Sequence, residues 1–275
     1  MSKLNISPFL KWAGGKRQLL PEIRKHIPQN MNTYYEPFVG AGAVFLDLQF
    51  NNVVINDINS ELINCYNVIK NNPEELIKEL SKFKNSEEEF YKIRNWDREE
   101  NYNKRSSVEK AARTIYLNKT CFNGLYRVSS KGFFNVPYGK YKNPSFVNAD
   151  NIRNLSKYFK SANITFLNKD FSAVVEDAKE GDFIYFDPPY YPINKTSSFK
   201  SYSKDGFSQE DQIKLKKEID TLTGRGVKVL MSNSCCDFIK NLYVGYKIIE
   251  IEANRNINAL GSKRTPVKEV LIKNY

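Results

Sequence analysis

Histidine is nearly missing from this chain: His26 is the single one among 275 residues. Metal centres and acid–base relays both rely on imidazole, so a structural zinc site and a histidine-activated Ser or Cys nucleophile are disfavoured at once. The four cysteines, Cys65, Cys121, Cys235 and Cys236, show no C-x-x-C spacing, which fits reduced thiols better than a disulfide framework or a metal knuckle. No apolar run approaches the roughly 20 residues that cross a bilayer, and the opening MSKLNISPFLKW lacks the apolar core and small-residue cleavage site of an export signal. The expectation is a cytoplasmic protein with no membrane association and no metal.

Positive charge is plentiful, and it is regional. The net charge is +11. Residues 101–149 hold nine Lys or Arg against one acid, Glu109, whereas residues 61–100 hold ten acids and seven bases. Nine rings share the basic stretch: Tyr102, Tyr116, Phe122, Tyr126, Phe133, Phe134, Tyr138, Tyr141 and Phe146. Cations interleaved with aromatic faces suit a polyanion that carries stackable bases, although a solvated basic face would have the same composition.

Strand-like runs alternate with helical patterns, as in a doubly wound α/β sheet. Seven runs qualify: TYYEPF, NVVIND, ANITFLNKD, DFIYFD, GVKVLMSN, YKIIEIEA and VKEVLIKNY. Helices are expected over SELINCYNVIK, with Ser60 as its N-cap, and near 208–223 and 235–243. The interval 61–150 breaks this rhythm. It opens acidic and helical, then passes into CFNGLYRVSSKGFFNVPYGKYKNP, whose Asn-Gly, Ser-Lys-Gly and Pro-Tyr-Gly steps mark hairpin turns. It reads as an inserted, mainly helical domain containing a β-hairpin, between the halves 1–60 and 151–275 of a mostly parallel, seven-stranded core.

Two stretches carry chemistry. In IYFDPPYY (184–191) a buried strand breaks at Asp187, and Pro188 and Pro189 stiffen the turn that presents this carboxylate beside Tyr190. In EPFVGAGAVF, Gly40 and Gly42 stand between a strand and a helix, where the backbone can approach a ligand. Asp57 closes the next strand, placed to accept hydrogen bonds from ribose hydroxyls. A nicotinamide site fits poorly, because Phe45 replaces the third glycine of G-x-G-x-x-G. WAGGKRQ is not a P-loop either: Leu10 occupies the first glycine position and Arg17 the magnesium-binding one. Lys16 is left to pair with a ligand carboxylate, and Trp12 to cover its apolar or cationic part, unless both simply anchor the amino terminus.

Six segments in order, PFLKWAGGKRQLL, EPFVGAGAVF, IND, FNGLYR, FNVPYGKYKNP and FDPPY, resemble the Dam-type, α-class, GATC-specific DNA adenine-N6 methyltransferases over nearly the whole chain. The resemblance implies S-adenosylmethionine as methyl donor and double-stranded DNA as substrate. It implies a cofactor site lined by Trp12, Lys16, Phe38, Gly40, Gly42, Asp57, Ile58, Asp170, Phe171 and Asp187, with Ile58 and Phe171 on either side of the cofactor adenine. Catalysis would fall to Asp187, Pro188, Pro189 and Tyr190: the carboxylate and a proline carbonyl accept the two N–H bonds of the target amine, and Tyr190 stacks on a base flipped from the duplex.

Sequence reading would fall to Lys11, Leu125, Arg127 and Pro137, while Phe122 wedges into the vacated stack with Asn123 beside it. The family often has Tyr at that wedge, and Phe keeps the stacking face without the hydroxyl. Apart from the resemblance, the long polar loop SSFKSYSKDGFS is placed to close over the base, and Arg255, Lys263 and Arg264 are available for phosphates, unless they belong to a solvated loop before an edge strand. The resemblance also admits a cognate restriction endonuclease in the same system and a monomeric enzyme. Rival readings are an amino-methyltransferase acting on cytosine N4 or RNA adenine, and a catalytically silent DNA-binding protein.

Overall fold

Each of the seven β-favouring runs becomes a strand of one sheet in the computed structural model: β1 Tyr34–Glu36, β2 Asn52–Asn56, β3 Asn163–Leu167, β4 Phe183–Phe186, β5 Lys228–Ser234, β6 Lys247–Ala253 and β7 Val267–Lys273. The spatial order is β3-β2-β1-β4-β5-β7-β6. Strands β1 to β5 pair in parallel, and β7 enters antiparallel between β5 and β6. The structure describes residues 3–192, 207–253 and 267–275; the stretch 197–206 of the polar loop and Arg255, Lys263 and Arg264 lie outside them.

Period-two alternation divides the strands between two cores. Tyr34, Val53, Ile55, Ile164, Phe183, Tyr185, Leu230 and Leu271 face one side, packed with helices α1 Leu20–Lys25, α2 Ala43–Leu48, α3 Ser60–Asn71 and α7 Ala149–Ser161. Tyr35, Ile184, Phe186, Val229, Met231, Val270 and Ile272 face the other, against α8 Phe171–Val174, α9 Gln209–Gly224 and α10 Asp237–Leu242. All four residues of β4 are buried, as expected for a central parallel strand covered on both faces.

The order in which strands are added reverses between the adjacent parallel strands β1 and β4. After β1 the chain steps outward to β2 and β3, then returns to lay β4 on the opposite side of β1. The two crossovers diverge there, which opens a crevice beyond the carboxyl ends of these strands. Glu36 and Asp187 mark that crevice, with Asp57 beyond β2 to one side and Ser234 at the end of β5 to the other.

The segment 61–150 supplies α4 Pro73–Leu80, α5 Glu87–Arg94 and α6 Ser107–Thr120. Their apolar faces, including Leu76, Leu80, Phe90, Ile93, Ala111, Ile115 and Tyr116, join the same core that covers the first sheet face. Helix α6 begins with a reciprocal capping box between Ser106 and Glu109. On its buried side Arg113 pairs with Asp97 at 2.6 Å and donates to the carbonyls of Ile93 and Arg94 at 3.1 and 2.9 Å. Asp97 in turn accepts the Phe134 amide at 2.8 Å, which ties the basic stretch to the helices beneath it.

Two local expectations are corrected. Asn59, not Ser60, caps α3: its side chain accepts the Leu62 amide at 3.0 Å, because the two residues after Asp57 complete the turn and shift the cap by one. The region 121–138 folds back antiparallel through isolated bridges, Cys121 to Tyr138 and Val128 to Phe134, and not through a regular ladder. Asn123 and Gly124 both adopt positive φ there (56° and 63°), which bends the backbone out of strand register. Among the described residues no helix is long and apolar enough to cross a membrane.

Candidate active site and nucleic-acid interface

Asp187 leaves the sheet directly after β4, and several side chains hold it in place. The Lys16 ammonium lies 2.8 Å from its Oδ1 and also donates to the Gly14 carbonyl at 2.6 Å. Ser232, on the neighbouring β5, donates to the same Oδ1 at 2.9 Å, and its hydroxyl meets the Tyr185 hydroxyl at 2.8 Å. Burial pushes the Asp187 carboxyl above its ordinary range, while Lys16 and Ser232 pull against that shift and Glu269 adds to it. The carboxylate is thus kept usable by two specific donors in a place that would otherwise protonate it.

The turn after Asp187 is clamped from below. Gln212 of α9 donates to the Pro189 carbonyl at 2.9 Å, and Asn233 links Gln212 (3.0 Å) to the Tyr191 amide (3.1 Å). Tyr191 stacks on Phe238 with ring centres 4.3 Å apart. Tyr190 donates its hydroxyl to Glu269 of β7 at 2.7 Å, and the Lys16 ammonium sits 4.7 Å from its ring centre. Besides the Gly14 carbonyl, Lys16 therefore engages a carboxylate and an aromatic face at once.

The glycine loop sits between β1 and α2. Gly40 and Gly42 have φ of 50° and 72°, and a Cβ at Gly40 would lie 2.9 Å from the Trp12 ring, so Trp12 rests directly on the loop. Asp57 reaches across from β2: its Oδ2 accepts the Gly40 amide at 3.0 Å and its Oδ1 the Asn59 amide at 2.9 Å. Burial raises this carboxyl to about 6 against both bonds. Ile58 beside it is 65% exposed, a rare state for a large apolar side chain in this molecule. Phe38 and Phe171 pack with ring centres 5.3 Å apart, and Asp170 caps α8 and pairs with Lys214 at 2.8 Å.

These residues fit an adenosine-containing ligand. Asp57 and Asp170 follow the adjacent strands β2 and β3, an exposed isoleucine and a phenylalanine stand beside them, and a cation waits where the loop opens toward Asp187. Glu36, at the end of β1, is buried at 2% exposure; it accepts the Tyr34 hydroxyl at 2.7 Å, and burial raises it to about 8.

The residues expected to read a base sequence converge on a second surface. Asn118 of α6 is the hub: it accepts the Lys11 amide at 2.8 Å and donates to the carbonyls of Lys11 and Gly124 at 2.7 and 3.0 Å. Phe122 donates its amide to the Pro137 carbonyl at 2.9 Å and is 52% exposed, and the Asn123 amide bonds the Tyr141 hydroxyl at 3.0 Å. Lys11, Phe122, Asn123, Arg127 and Pro137 are all exposed, while Leu125 is half-buried. Arg127 rests on Asn135, its Nε 2.7 Å from the amide oxygen.

Several participants escaped sequence reading. Ser232, Gln212 and Asn233 brace the Asp187 turn, Glu269 anchors Tyr190, and Asn118 joins the amino-terminal arm to the fold-back. The polar end of GVKVLMSN was the one available signal, because two polar residues closing a buried strand, Ser232 and Asn233, need partners.

With this geometry in view, comparison with known proteins is decisive. Residues 12–257 match the family of D12 class N6 adenine-specific DNA methyltransferases. Type II methyltransferase M1.LlaDCHI of Lactococcus lactis is 46% identical over 100% of this chain and 97% of its own length. Type II methyltransferase M.MjaIII of Methanocaldococcus jannaschii is 46% identical over 99% of this chain and 100% of its length. A DNA adenine methylase of Vibrio cholerae is 36% identical over 96% of this chain and 94% of its length. Among solved structures, a precorrin 8W decarboxylase from Methanobacterium thermoautotrophicum superposes with a TM-score of 0.38 at 12% identity, over 99% of this chain and 97% of that one, too loosely to carry an argument. The chain belongs to the D12 class of N6 adenine-specific DNA methyltransferases, enzymes whose reaction implies S-adenosylmethionine as methyl donor and DNA as substrate.

Proposed function

We propose that this enzyme methylates the N6 amine of adenine within GATC, on a base flipped out of double-stranded DNA into the Asp187 crevice. The observation that carries the reading is the double contact of Lys16. Its ammonium lies 2.8 Å from Asp187 Oδ1 and 4.7 Å from the Tyr190 ring centre. Those are the contacts that an aromatic amine and its ring would make on entering. The crevice is built to grip an N–H donor between a carboxylate and an aromatic face.

In this mechanism Lys16 turns away as the base arrives, toward the carboxylate of the methyl donor. Asp187 and the Pro188 carbonyl accept the two N–H bonds of the amine, draw it toward tetrahedral geometry and free its lone pair from the ring. S-adenosylmethionine, when bound, would supply an electrophilic methyl group, its S–C bond breaking as the N–C bond forms so that S-adenosylhomocysteine is left and the methylated amine gives up one proton to solvent. Asp187 stabilises the positive charge that develops on nitrogen, and Tyr190, pinned by Glu269, holds the ring in plane. Trp12, Phe38, Gly40, Gly42, Asp57, Ile58, Asp170 and Phe171 would line the donor site. Base flipping follows from depth: the amine of a paired adenine cannot reach a crevice at the strand ends.

The GATC reading rests on FNGLYR and FNVPYGKYKNP. The guanidinium of Arg127 suits a guanine edge, Leu125 and Pro137 suit a thymine methyl, Lys11 suits the first guanine, and Phe122, flanked by Asn123, is an exposed ring ready to fill the vacated stack. Residues 61–150 would form the target-recognition domain and residues 1–60 with 151–275 the catalytic one. Two 46%-identical relatives carry the name type II methyltransferase; the reading extends to a cognate restriction endonuclease, a cytoplasmic setting and a monomeric enzyme.

Transfer of labelled methyl groups to short duplexes tests the proposal. Incorporation should appear at adenine N6 in GATC and drop at least about 100-fold when one base pair of the site is changed, since a lost edge contact costs roughly 1–3 kcal/mol and the changes compound with poorer flipping. Equal incorporation into duplexes without GATC would contradict the assigned site.

A further inference from the structure

Tyr126 lies between two proposed sequence readers, Leu125 and Arg127, yet its side chain points into the protein. Its ring stacks on Trp12, with centres 5.1 Å apart and planes 28° from parallel. Trp12 in turn lies against Gly40, where an added Cβ would come within 2.9 Å of the indole. On its other side the Tyr126 ring meets the edge of Phe134 at 5.9 Å. Burial raises the Tyr126 phenol to about 12, with the Asn59 side chain working against that shift.

These contacts form a chain. Asn59 donates its amide to Asp57 Oδ1 at 2.9 Å, and Asp57 Oδ2 accepts the Gly40 amide at 3.0 Å. From Gly40 the path runs through Trp12 to Tyr126. A single side chain of the fold-back therefore stacks on the ring that rests on the glycine loop, whose Gly40 amide is held by the ribose-facing carboxylate. Any ligand that fixes Trp12 and Asp57 also fixes Tyr126, and with it the backbone that presents Leu125 and Arg127.

We propose that Tyr126 is a positioning residue that couples occupancy of the donor site to sequence reading by the fold-back. The inference rests on the assignments under Proposed function and deepens them. Energetic coupling of this kind must be reciprocal: a donor analogue tightens cognate DNA by the same factor by which cognate DNA tightens the analogue. Donor occupancy then orders the reader before the base is flipped.

The test is a binding cycle with S-adenosylhomocysteine and a GATC duplex, measured in both directions for the wild type, Tyr126→Phe and Tyr126→Leu. The wild type should show a coupling factor of about 10, within the usual 5- to 150-fold span. Tyr126→Phe keeps the stack and should retain most of the factor; Tyr126→Leu should bring it below about 2 while binding of the analogue to free enzyme stays within about three-fold. A purely structural role would lower melting temperature and both affinities without moving the ratio. A factor near 1 in the wild type, or one unchanged in Tyr126→Leu, overturns the inference; should Tyr126→Leu not fold, a Tyr126→Phe factor equal to wild type in a variant that has lost the stack through Trp12→Leu overturns it equally. Failure of the GATC assignment is a separate result, read as equal affinity for cognate and altered duplexes.

Discussion

Asp187 gathers the residue-scale chemistry. A buried carboxylate left alone would take up a proton and lose its value as an acceptor for an amine. Lys16 and Ser232 oppose that; in the proposed mechanism Lys16 departs as a base enters, which would leave Ser232 as the donor that stays throughout. Its hydroxyl, oriented by Tyr185 at 2.8 Å, fixes which lone pairs of Oδ1 remain for the substrate. Asp187→Ala should therefore abolish methyl transfer, with DNA affinity within a few-fold of wild type by gel shift. Ser232→Ala should act more gently: removing a bond to the ionised form raises the Asp187 pKa further, so the acid limb of the kcat profile should move to higher pH. A lost hydrogen bond to a charged group of about 1.5–3 kcal/mol corresponds to a shift of about one to two pH units. Stopped-time methylation between pH 5 and 9 checks it, and an unmoved limb would remove Ser232 from this role. Neither Tyr185 nor Ser232 stands out in the chain, because the contact joins residues 47 positions apart on neighbouring strands.

At the scale of elements, the sheet was legible and its seams were not. Every strand arises from a β-branched or aromatic run, and burial on both faces makes such runs nearly continuous in β4. The helix at 209–224 and the one at 237–242 fall within two residues of expectation. The cap of α3 was misplaced by one residue, since Asn59 and Ser60 are both good caps and the turn after Asp57 chooses between them. The fold-back was legible as turns but not as an irregular one. Its seam with the amino-terminal arm depends on Gly124, where a Cβ would stand 2.4 and 2.7 Å from Lys11 side-chain carbons at a φ of 63°. Gly124→Ala should cost about 1–3 kcal/mol through backbone strain and displacement of Lys11. It should lower the melting temperature and weaken GATC binding, while S-adenosylhomocysteine binding changes little. Calorimetry with both ligands separates these effects.

For the molecule as a whole, composition pointed to a nucleic-acid partner before any motif did, and the structure refines which charges serve that purpose. Arg113 is buried against Asp97 at 2.6 Å, and Arg105 is shared between Glu99 at 2.8 Å and Glu109 at 3.2 Å. These two arginines build the helical platform. Lys104, Arg127, Lys131, Lys140 and Lys142 remain exposed, and such residues can release counterions from a duplex. The proposed donor crevice and reading surface draw on distant parts of the chain: β1 and β4 meet at the switch point although 146 residues lie between Glu36 and Phe183. Motif order was enough to propose both centres, whereas the contacts between their segments, Lys11 to Asn118 across 107 positions and Trp12 to Tyr126, became visible only in three dimensions.

The central claim is that this chain places a methyl group on adenine N6 inside GATC. Single-molecule mapping of modified bases in DNA from a methylation-free bacterial host that expresses the chain tests it most directly. The account predicts N6-methyladenine on both strands of nearly every GATC and no enrichment elsewhere. Unmodified GATC alongside N6-methyladenine in another motif, or modified cytosine in place of adenine, would contradict it.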